Sequence, residues 1–366
     1  MKSYDAIVIG TGIAGLSVGR ELARLGELVL ILERDVRGGN ASRAAAGILD
    51  PYTEAEKNTP LFQLSLKAFQ FYPQFLDGLG AGARKKIEFQ KTGVLYLAFS
   101  AKDESVLKKR ALWQERRGIP VKNLSAGQVQ ELEPVVSKTV RSGIFYPEIP
   151  KVNAHKLTTW IFEAARREGV EIRTGVKDAV VKIQKRKVRG VRANGNFLET
   201  GKVIVAAGSW SGPEKRFGVS VGVKPVRGQI LMVRARPVFQ PKHILHSLRY
   251  AYLIPWPSGR ILVGSTLESA GFQSRVTRGG EKDILRRAGE IIEGIESFPV
   301  ETSWAGLRPC PDRGRAFIGP TGIAGLFLAT GYYRSGILIA PLVGKLLAEG
   351  IHSGNFSPLV IPFFVK

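Results

Sequence analysis

Ala6-Ile7-Val8-Ile9 is a short, unbroken apolar run, and it predicts a strand over Tyr4–Ile9 that is buried on both faces. Gly10-Thr11-Gly12-Ile13-Ala14-Gly15 follows, and Leu16, Val18, Leu22, Ala23 and Leu25 then recur at helical spacing until Gly26. Leu28–Leu32 is a second apolar run, closed by Glu33. Helical patterns cover Pro60–Leu79, Asp103–Arg117 and Asn153–Glu168, with a strand-like stretch at Gly93–Phe99. Strands are expected at Val170–Arg173, Ala179–Gln184 and Lys187–Ala193, the last ending in the tight-turn pair Asn194-Gly195. Lys202–Gly208 is another buried strand that runs into a glycine.

The middle of the chain changes character. Gly228–Ala235, Tyr250–Pro255 and Arg260–Ser265 read as antiparallel strands, followed by a helix over Glu281–Glu293. A strand at Leu326–Ala329 and a helix over Ser335–Glu349 then return to the first pattern, and an apolar extended tail closes the chain. This order predicts an α/β fold of two interleaved domains: a doubly wound domain, and a mostly antiparallel sheet inserted in two pieces. The expected boundaries are 1–88, 146–222 and 305–366 for the first domain, and 89–145 and 223–304 for the second.

The length of 366 residues agrees with two domains of ordinary size. No apolar run reaches the roughly 18–20 residues of a membrane span, the best candidate being Gly336–Ala348. With no cleavage-site pattern after the first strand, a cytoplasmic protein is expected. The single cysteine, Cys310, excludes a disulfide within the chain and a cysteine-rich metal site. His243 and His246 form the one close histidine pair and are read as surface residues, so no structural metal is expected. The net charge of +23 is the odd quantity. It is spread over short clusters such as Arg84-Lys85-Lys86, Lys108-Lys109-Arg110 and Lys185-Arg186-Lys187, without interleaved aromatics. That reads as a basic surface; a nucleic-acid partner is disfavoured, and a peripheral contact with an anionic membrane stays open.

The motif with the clearest chemistry is Gly10-x-Gly12-x-x-Gly15, answered by Glu33. Gly10 permits the tight turn, Gly12 admits a pyrophosphate to the backbone, and Gly15 lets helix and strand pack closely. The helix N-terminus favours the phosphate charge, and Glu33 can accept hydrogen bonds from a ribose diol.

Three further segments carry a resemblance: Ser42-Arg43-Ala44-Ala45-Ala46-Gly47-Ile48-Leu49, Trp304-Ala305-Gly306-Leu307-Arg308-Pro309, and the stretch from Thr330 to Pro341. Together with Val205–Ser211, in the same order along nearly the whole chain, they resemble the D-amino acid oxidase superfamily of FAD enzymes, and within it the bacterial glycine oxidases. The resemblance implies a Rossmann-type FAD-binding domain and non-covalent FAD. Gly10, Gly12, Ile13, Ala14 and Gly15 would hold the pyrophosphate, and Glu33, with Arg34 beside it, the ribose. Ala41, Ser42, Ala46, Gly47 and Ile48 would line the flavin, with Ala207 and Gly208 in the cofactor site, and Val176 would meet the adenine by its backbone. Tyr332, Tyr333, Arg334, Ser335, Gly336, Ile337 and Leu338 would run beneath the isoalloxazine.

For substrate, the resemblance implies Arg308 as carboxylate clamp, with Arg334 and Tyr252 completing a small pocket. An arginine suits that task because its planar fork makes two parallel bonds to a carboxylate. Tyr250 and Tyr252 alternate on one strand face, so both are candidates for the pocket and either one for the core. Tyr250 stands where the family's glycine oxidases can carry a histidine, and Ile48 and Leu267 where flavin-pocket methionines occur. The implied reaction is oxidative deamination of glycine or a small D- or N-methyl amino acid, with hydride transfer to flavin N5. Its products would be a keto acid, ammonia and hydrogen peroxide, with a place in thiamine thiazole synthesis. Oxygen or another acceptor would take the electrons, and a homo-oligomer is implied. The rival readings are a membrane-associated D-amino acid or D-proline dehydrogenase that donates to quinone, and an RNA-associated flavoprotein.

Overall fold

The computed structural model describes residues 3–36, 38–52, 55, 57–212, 215–248 and 251–365. Strand β1 (Ala6–Ile9) leads through helix α1 (Ile13–Arg24) to β2 (Val29–Leu32), which pairs in parallel with β1. Helices α2 (Pro60–Asp77) and α3 (Ala101–Glu115) flank β3 (Val94–Ala98), and β4 (Lys122–Ser125) and β5 (Ser142–Tyr146) follow. Helix α4 (Ala154–Arg167) precedes β6 (Glu171–Arg173), a meander β7–β9 (Val180–Gln184, Lys187–Ala193, Asn196–Glu199) and β10 (Val203–Val205). The long strand β11 (Val223–Arg234) opens the second half, with β12 (Ile244–Ser247), β13 (Tyr252–Trp256) and β14 (Arg260–Gly264) behind it. Helix α5 (Arg278–Gly289), β15 (Val300–Pro311), β16 (Phe317–Pro320), β17 (Leu326–Thr330) and α6 (Gly336–Ser353) complete the order.

A six-stranded sheet runs β16-β17-β10-β1-β2-β6, parallel except for β16. The unbroken apolar run of β1 follows from its two covered faces. Ala6 and Val8 face the core built with α1 and α6, while Ile7 and Ile9 face the core under the β7–β9 meander. The chain leaves β1 toward β2 on one side, while β10 pairs on the other, so the turn at Gly10 stands at a switch point where ligands bind in such sheets.

The eight-stranded sheet runs β15-β11-β14-β13-β12-β3-β5-β4 and is antiparallel except between β12 and β3. Its strands alternate faces: Leu95 and Leu97 pack toward α5, whereas Val94, Tyr96, Tyr252 and Ile254 pack toward the opposite side. β15 stays in this sheet as far as Pro311, so one strand crosses the expected boundary at 305.

Several expectations need correction. β12 and the full length of β15 have no counterpart in the expected elements. Helix α5 starts earlier than expected because Thr277 caps it, its side chain accepting from Gly280 N at 3.2 Å. The tail is not simply extended: it makes a 3-10 turn at Ile361–Phe363 that buries Val360 and Phe363. At 18 residues α6 is long and apolar enough to cross a membrane, where the sequence shows no run of that length. Yet 67% of it is buried inside the protein, packed against α1 and α2.

Candidate functional site

Two adjoining cavities occupy the seam between the sheets. The first is a cleft at the carboxyl ends of β1, β2, β10 and β17. Gly10 turns with φ +113°, and a Cβ there would strike the Ala206 carbonyl. A Cβ on Gly15 would strike the Gly10 carbonyl, so Gly15 sits behind the cleft, where it lets α1 press on the turn. At Gly12 a Cβ would meet only Ser42 Oγ, at 3.5 Å, and the residue faces the cleft. Helix α1 thus begins at Gly12 without a side-chain cap of its own, and Ile13 N donates to Ser42 Oγ at 2.9 Å. Ile13 and Ala14 line the cleft beside it. A helix start with no cap from its own N-cap residue, beside a side-chain-free backbone, is a cradle for an anionic pyrophosphate.

Glu33 closes the same cleft and is only 8% exposed. Its Oε2 accepts from Thr11 N and Thr11 Oγ1, both at 2.7 Å, and its Oε1 from Asp35 N at 2.9 Å. The carboxylate therefore braces the glycine loop as well as facing the cleft, through Thr11, a contact that the sequence reading missed. Arg34 forms part of the wall: its guanidinium lies 3.9 Å from the Trp210 ring and pairs with Asp35. That hydrogen bond holds the Asp35 carboxyl below its ordinary range. Val176 lines the cleft, with its amide donating to the Glu33 carbonyl at 2.8 Å. Ala41, Ser42, Ala207, Gly208, Tyr332, Gly336 and Ile337 complete the predicted lining. The Tyr332 hydroxyl is buried without a hydrogen-bond partner.

The second cavity, of about 600 Å³, shares Ala41, Ala45, Tyr333, Arg334 and Ile337 with the cleft, so a ligand lying in one borders the other. Ala46, Gly47, Ile48, Ser335 and Leu338 line it on the cleft side. Tyr333 takes a left-handed turn, φ +48°, and its amide donates to Pro309 O at 3.2 Å. The loop is thereby pinned to β15 just before Gly336 opens α6.

Arg308 projects from β15 across β11. Its Nη1 donates to Thr266 O at 3.1 Å and its Nη2 to Ser265 Oγ at 2.7 Å. The guanidinium lies over Gly228, where any Cβ would collide with it. Tyr252 packs its ring over Gly264 in the same way, and burial pushes its phenol pKa up, partly offset by Arg308 and Ser265. Arg334 lies 5.6 Å from the Tyr333 ring and faces both cavities.

Other predictions fare differently. Tyr250 lies outside the described residues. Leu267 is 47% exposed and lines neither cavity. β14 ends at Gly264, Ser265 and Thr266 turn inward, and the next residue points out. Cys310 also lines neither cavity, and burial raises its thiol pKa.

The reading of the histidine pair as surface is overturned. His243 Nδ1 lies 2.6 Å from Oε1 of the buried Glu133. His246 lines the second cavity, its ring 4.7 Å from Tyr96 and 6.0 Å from Tyr252. Its Nδ1 faces Ser247 O at 2.8 Å; a carbonyl only accepts, so Nδ1 carries the proton and Nε2 the lone pair. Burial lowers the imidazole pKa to about 4, with Arg334 and Arg110 adding to the shift, so the ring is neutral at pH 7. No group of histidine, cysteine and carboxylate able to hold a metal occurs among the described residues.

Comparison with known proteins adds the family. The FAD dependent oxidoreductase (DAO) family matches residues 5–350. A glycine oxidase of Geobacillus kaustophilus is 30% identical over 98% of this chain and 96% of its own. One of Bacillus subtilis is 30% identical over 95% and 93%. The crystal structure of the Geobacillus kaustophilus enzyme superposes with a TM-score of 0.93 at 28% identity, covering 100% of this chain and 99% of that one.

Proposed function

The chain belongs to the DAO family of FAD-dependent oxidoreductases, and on that premise we propose that the two cavities form one site that oxidises glycine or a similar small amino acid. The observation that carries this reading is Arg308, a planar guanidinium fixed at two nitrogens above a glycine and facing the second cavity. The residues of the cleft fit FAD: the Gly12 cradle, the start of α1 and Glu33 suit a pyrophosphate and a ribose. Bound there, a flavin would supply a hydride acceptor that oxygen can reoxidise.

Everything else is positioning. Arg308 binds the substrate carboxylate and fixes the direction of the α-carbon, with Tyr252 packed beside it. His246 Nε2 offers a lone pair for a substrate N–H; being only weakly basic, it accepts a hydrogen bond from the neutral amine, whose own lone pair stays free to form the imine. The apolar walls at Ala46, Ile48 and Ile230 limit water around the reacting carbon. With glycine, the balance is one glycine, one oxygen and one water giving glyoxylate, ammonia and hydrogen peroxide. A bifunctional ThiO/ThiG protein of Trichormus variabilis is 28% identical over 98% of this chain but only 54% of its own length, and that half-length likeness supports a link to thiamine synthesis.

The test is oxygen uptake by the flavin-loaded protein with glycine, sarcosine and D-alanine, with peroxide and keto acid measured in parallel. Equimolar peroxide and glyoxylate from glycine support the reading, and Arg308→Ala is expected to abolish both. Turnover that survives Arg308→Ala at unchanged KM contradicts it.

A further inference from the structure

The second cavity carries more positive charge than one carboxylate requires. Arg308, Arg334 and Arg110 all line it, against a single acid, Asp50, among the described lining residues. Asp50 is already engaged by Tyr96 Oη at 2.9 Å and Tyr52 N at 2.7 Å. Arg110 is the unusual member. Its Nε and Nη1 are buried without a hydrogen-bond partner, and its guanidinium lies 5.8 Å from the Tyr96 ring. A guanidinium with two buried, unfilled donors is costly unless a ligand completes it.

Its position is set by the helix. Leu107, Ala111 and Gln114 are the buried residues of α3, and Arg110 shares their face at three- and four-residue spacing. This face turns toward β3 and β5. Arg110 is therefore half-buried, whereas Lys108 and Lys109 of the same cluster are exposed.

The two guanidinium groups contact the two outer members of one aromatic wall, Arg110 at Tyr96 and Arg308 at Tyr252. Tyr96, His246 and Tyr252 are register partners on β3, β12 and β13. Tyr252 pairs onward with Gly264, next to Ser265, to which Arg308 is bonded. Strands lie about 4.8 Å apart, so Tyr96 and Tyr252 are separated by about 10 Å. Arg110 lies over the ring of the first, and Arg308 beside the second. A cavity of about 600 Å³ is also of the size that holds drug-sized ligands, well beyond glycine even with a flavin edge inside it.

We propose that this site takes an amine bearing two carboxylates. Arg308 holds the α-carboxylate, the backbone of the substrate lies along the Tyr96–His246–Tyr252 wall, and Arg110 holds the distal carboxylate. The inference rests on the role given to Arg308 above and extends it to a substrate class, acidic or N-carboxyalkyl amino acids. The reaction is unchanged: the C–H bond next to nitrogen breaks, two electrons pass to flavin and then oxygen, and water hydrolyses the imine.

The test has two arms on the flavin-loaded protein. In the first, kcat/KM is measured for glycine, D-aspartate, D-glutamate and N-(carboxymethyl)glycine in wild type and Arg110→Gln. A dicarboxylate is expected to exceed glycine in wild type, and Arg110→Gln to cut that preference by about 10- to 100-fold, mostly through KM. In the second, the flavin absorbance is titrated with acetate, malonate, succinate and glutarate, none of which is an amine. A dicarboxylate is expected to bind at least tenfold more tightly than acetate, and Arg110→Gln to remove that advantage. If no amine is oxidised but this advantage is present and lost in the variant, the amine-oxidising function falls and the two-anion site stands. If glycine is oxidised while dicarboxylates show no preference in either arm, or Arg110→Gln weakens acetate and glutarate equally, the two-anion site is overturned.

Discussion

Gly228→Ala is the most informative single substitution, because it touches the substrate clamp without removing it. Gly228 has no positive φ, so alanine adopts its backbone conformation without strain. The new Cβ would lie closer than 3.0 Å to Nη1, Nη2 and Cζ of Arg308, whereas an ordinary contact begins near 3.4 Å. The guanidinium must therefore move by on the order of 1 Å, a displacement that can cost about 100-fold in rate. That movement pulls on the bonds to Thr266 O and Ser265 Oγ, at 3.1 and 2.7 Å. Losing one hydrogen bond of a charged group costs about 1.5–3 kcal/mol, or roughly 10- to 150-fold. Both routes give a fall in kcat/KM of about 100-fold. The assay is steady-state oxygen uptake, with flavin content and thermal unfolding as controls, both expected near wild type. Wild-type kinetics in a variant that retains its flavin would refute the placement of the clamp over Gly228.

Three further outcomes follow from the geometry. Gly12→Val is expected to fold but to retain little FAD, since its side chain enters the cleft with only Ser42 Oγ near its Cβ, whereas Gly15→Ala strikes the Gly10 carbonyl and should lower the melting temperature; flavin absorbance per protein and thermal melts separate the two. His246 titrates near 4 in the folded chain against about 6.5 unfolded, so the unfolded state binds more protons between these values and stability falls as pH drops through that window. The loss approaches about 3 kcal/mol at its limit, and His246→Gln is expected to show a shallower decline between pH 6.5 and 4.5 in urea titrations. Lys151, buried beside the Trp256 ring at 4.4 Å, has its pKa lowered to about 8 by burial, against about 10.4 for a free lysine. Stability should therefore rise from pH 8 to 10 through this residue, and Lys151→Met should flatten that rise.

The parts of the fold that the sequence reveals are those written in short, regular patterns. β1, the glycine turn and α1 are adjacent in the chain, and each glycine has one steric reason for being there, visible at Gly10 and Gly15 in what a Cβ would strike. Arg308 shows itself only through a resemblance, since the partners that fix it, Gly228, Ser265 and Thr266, come from distant segments. His246 escapes because β12 is four residues long and carries a polar residue at the position facing the cavity. Leu267, expected in the flavin pocket by resemblance alone, is exposed because Ser265 and Thr266 take the inward positions after β14 and leave the next side chain pointing out. Arg110 escapes because a run of charges hides a helical face that Leu107, Ala111 and Gln114 already mark.

The most direct test of the central claim is anaerobic mixing of the flavin-loaded protein with amine substrates, followed by admission of oxygen. The account predicts bleaching of the flavin absorbance by an amino acid, recovery on oxygen with release of peroxide, and no bleaching in Arg308→Ala. A flavin that stays oxidised with glycine, sarcosine, D-alanine and the dicarboxylic amines alike would contradict it.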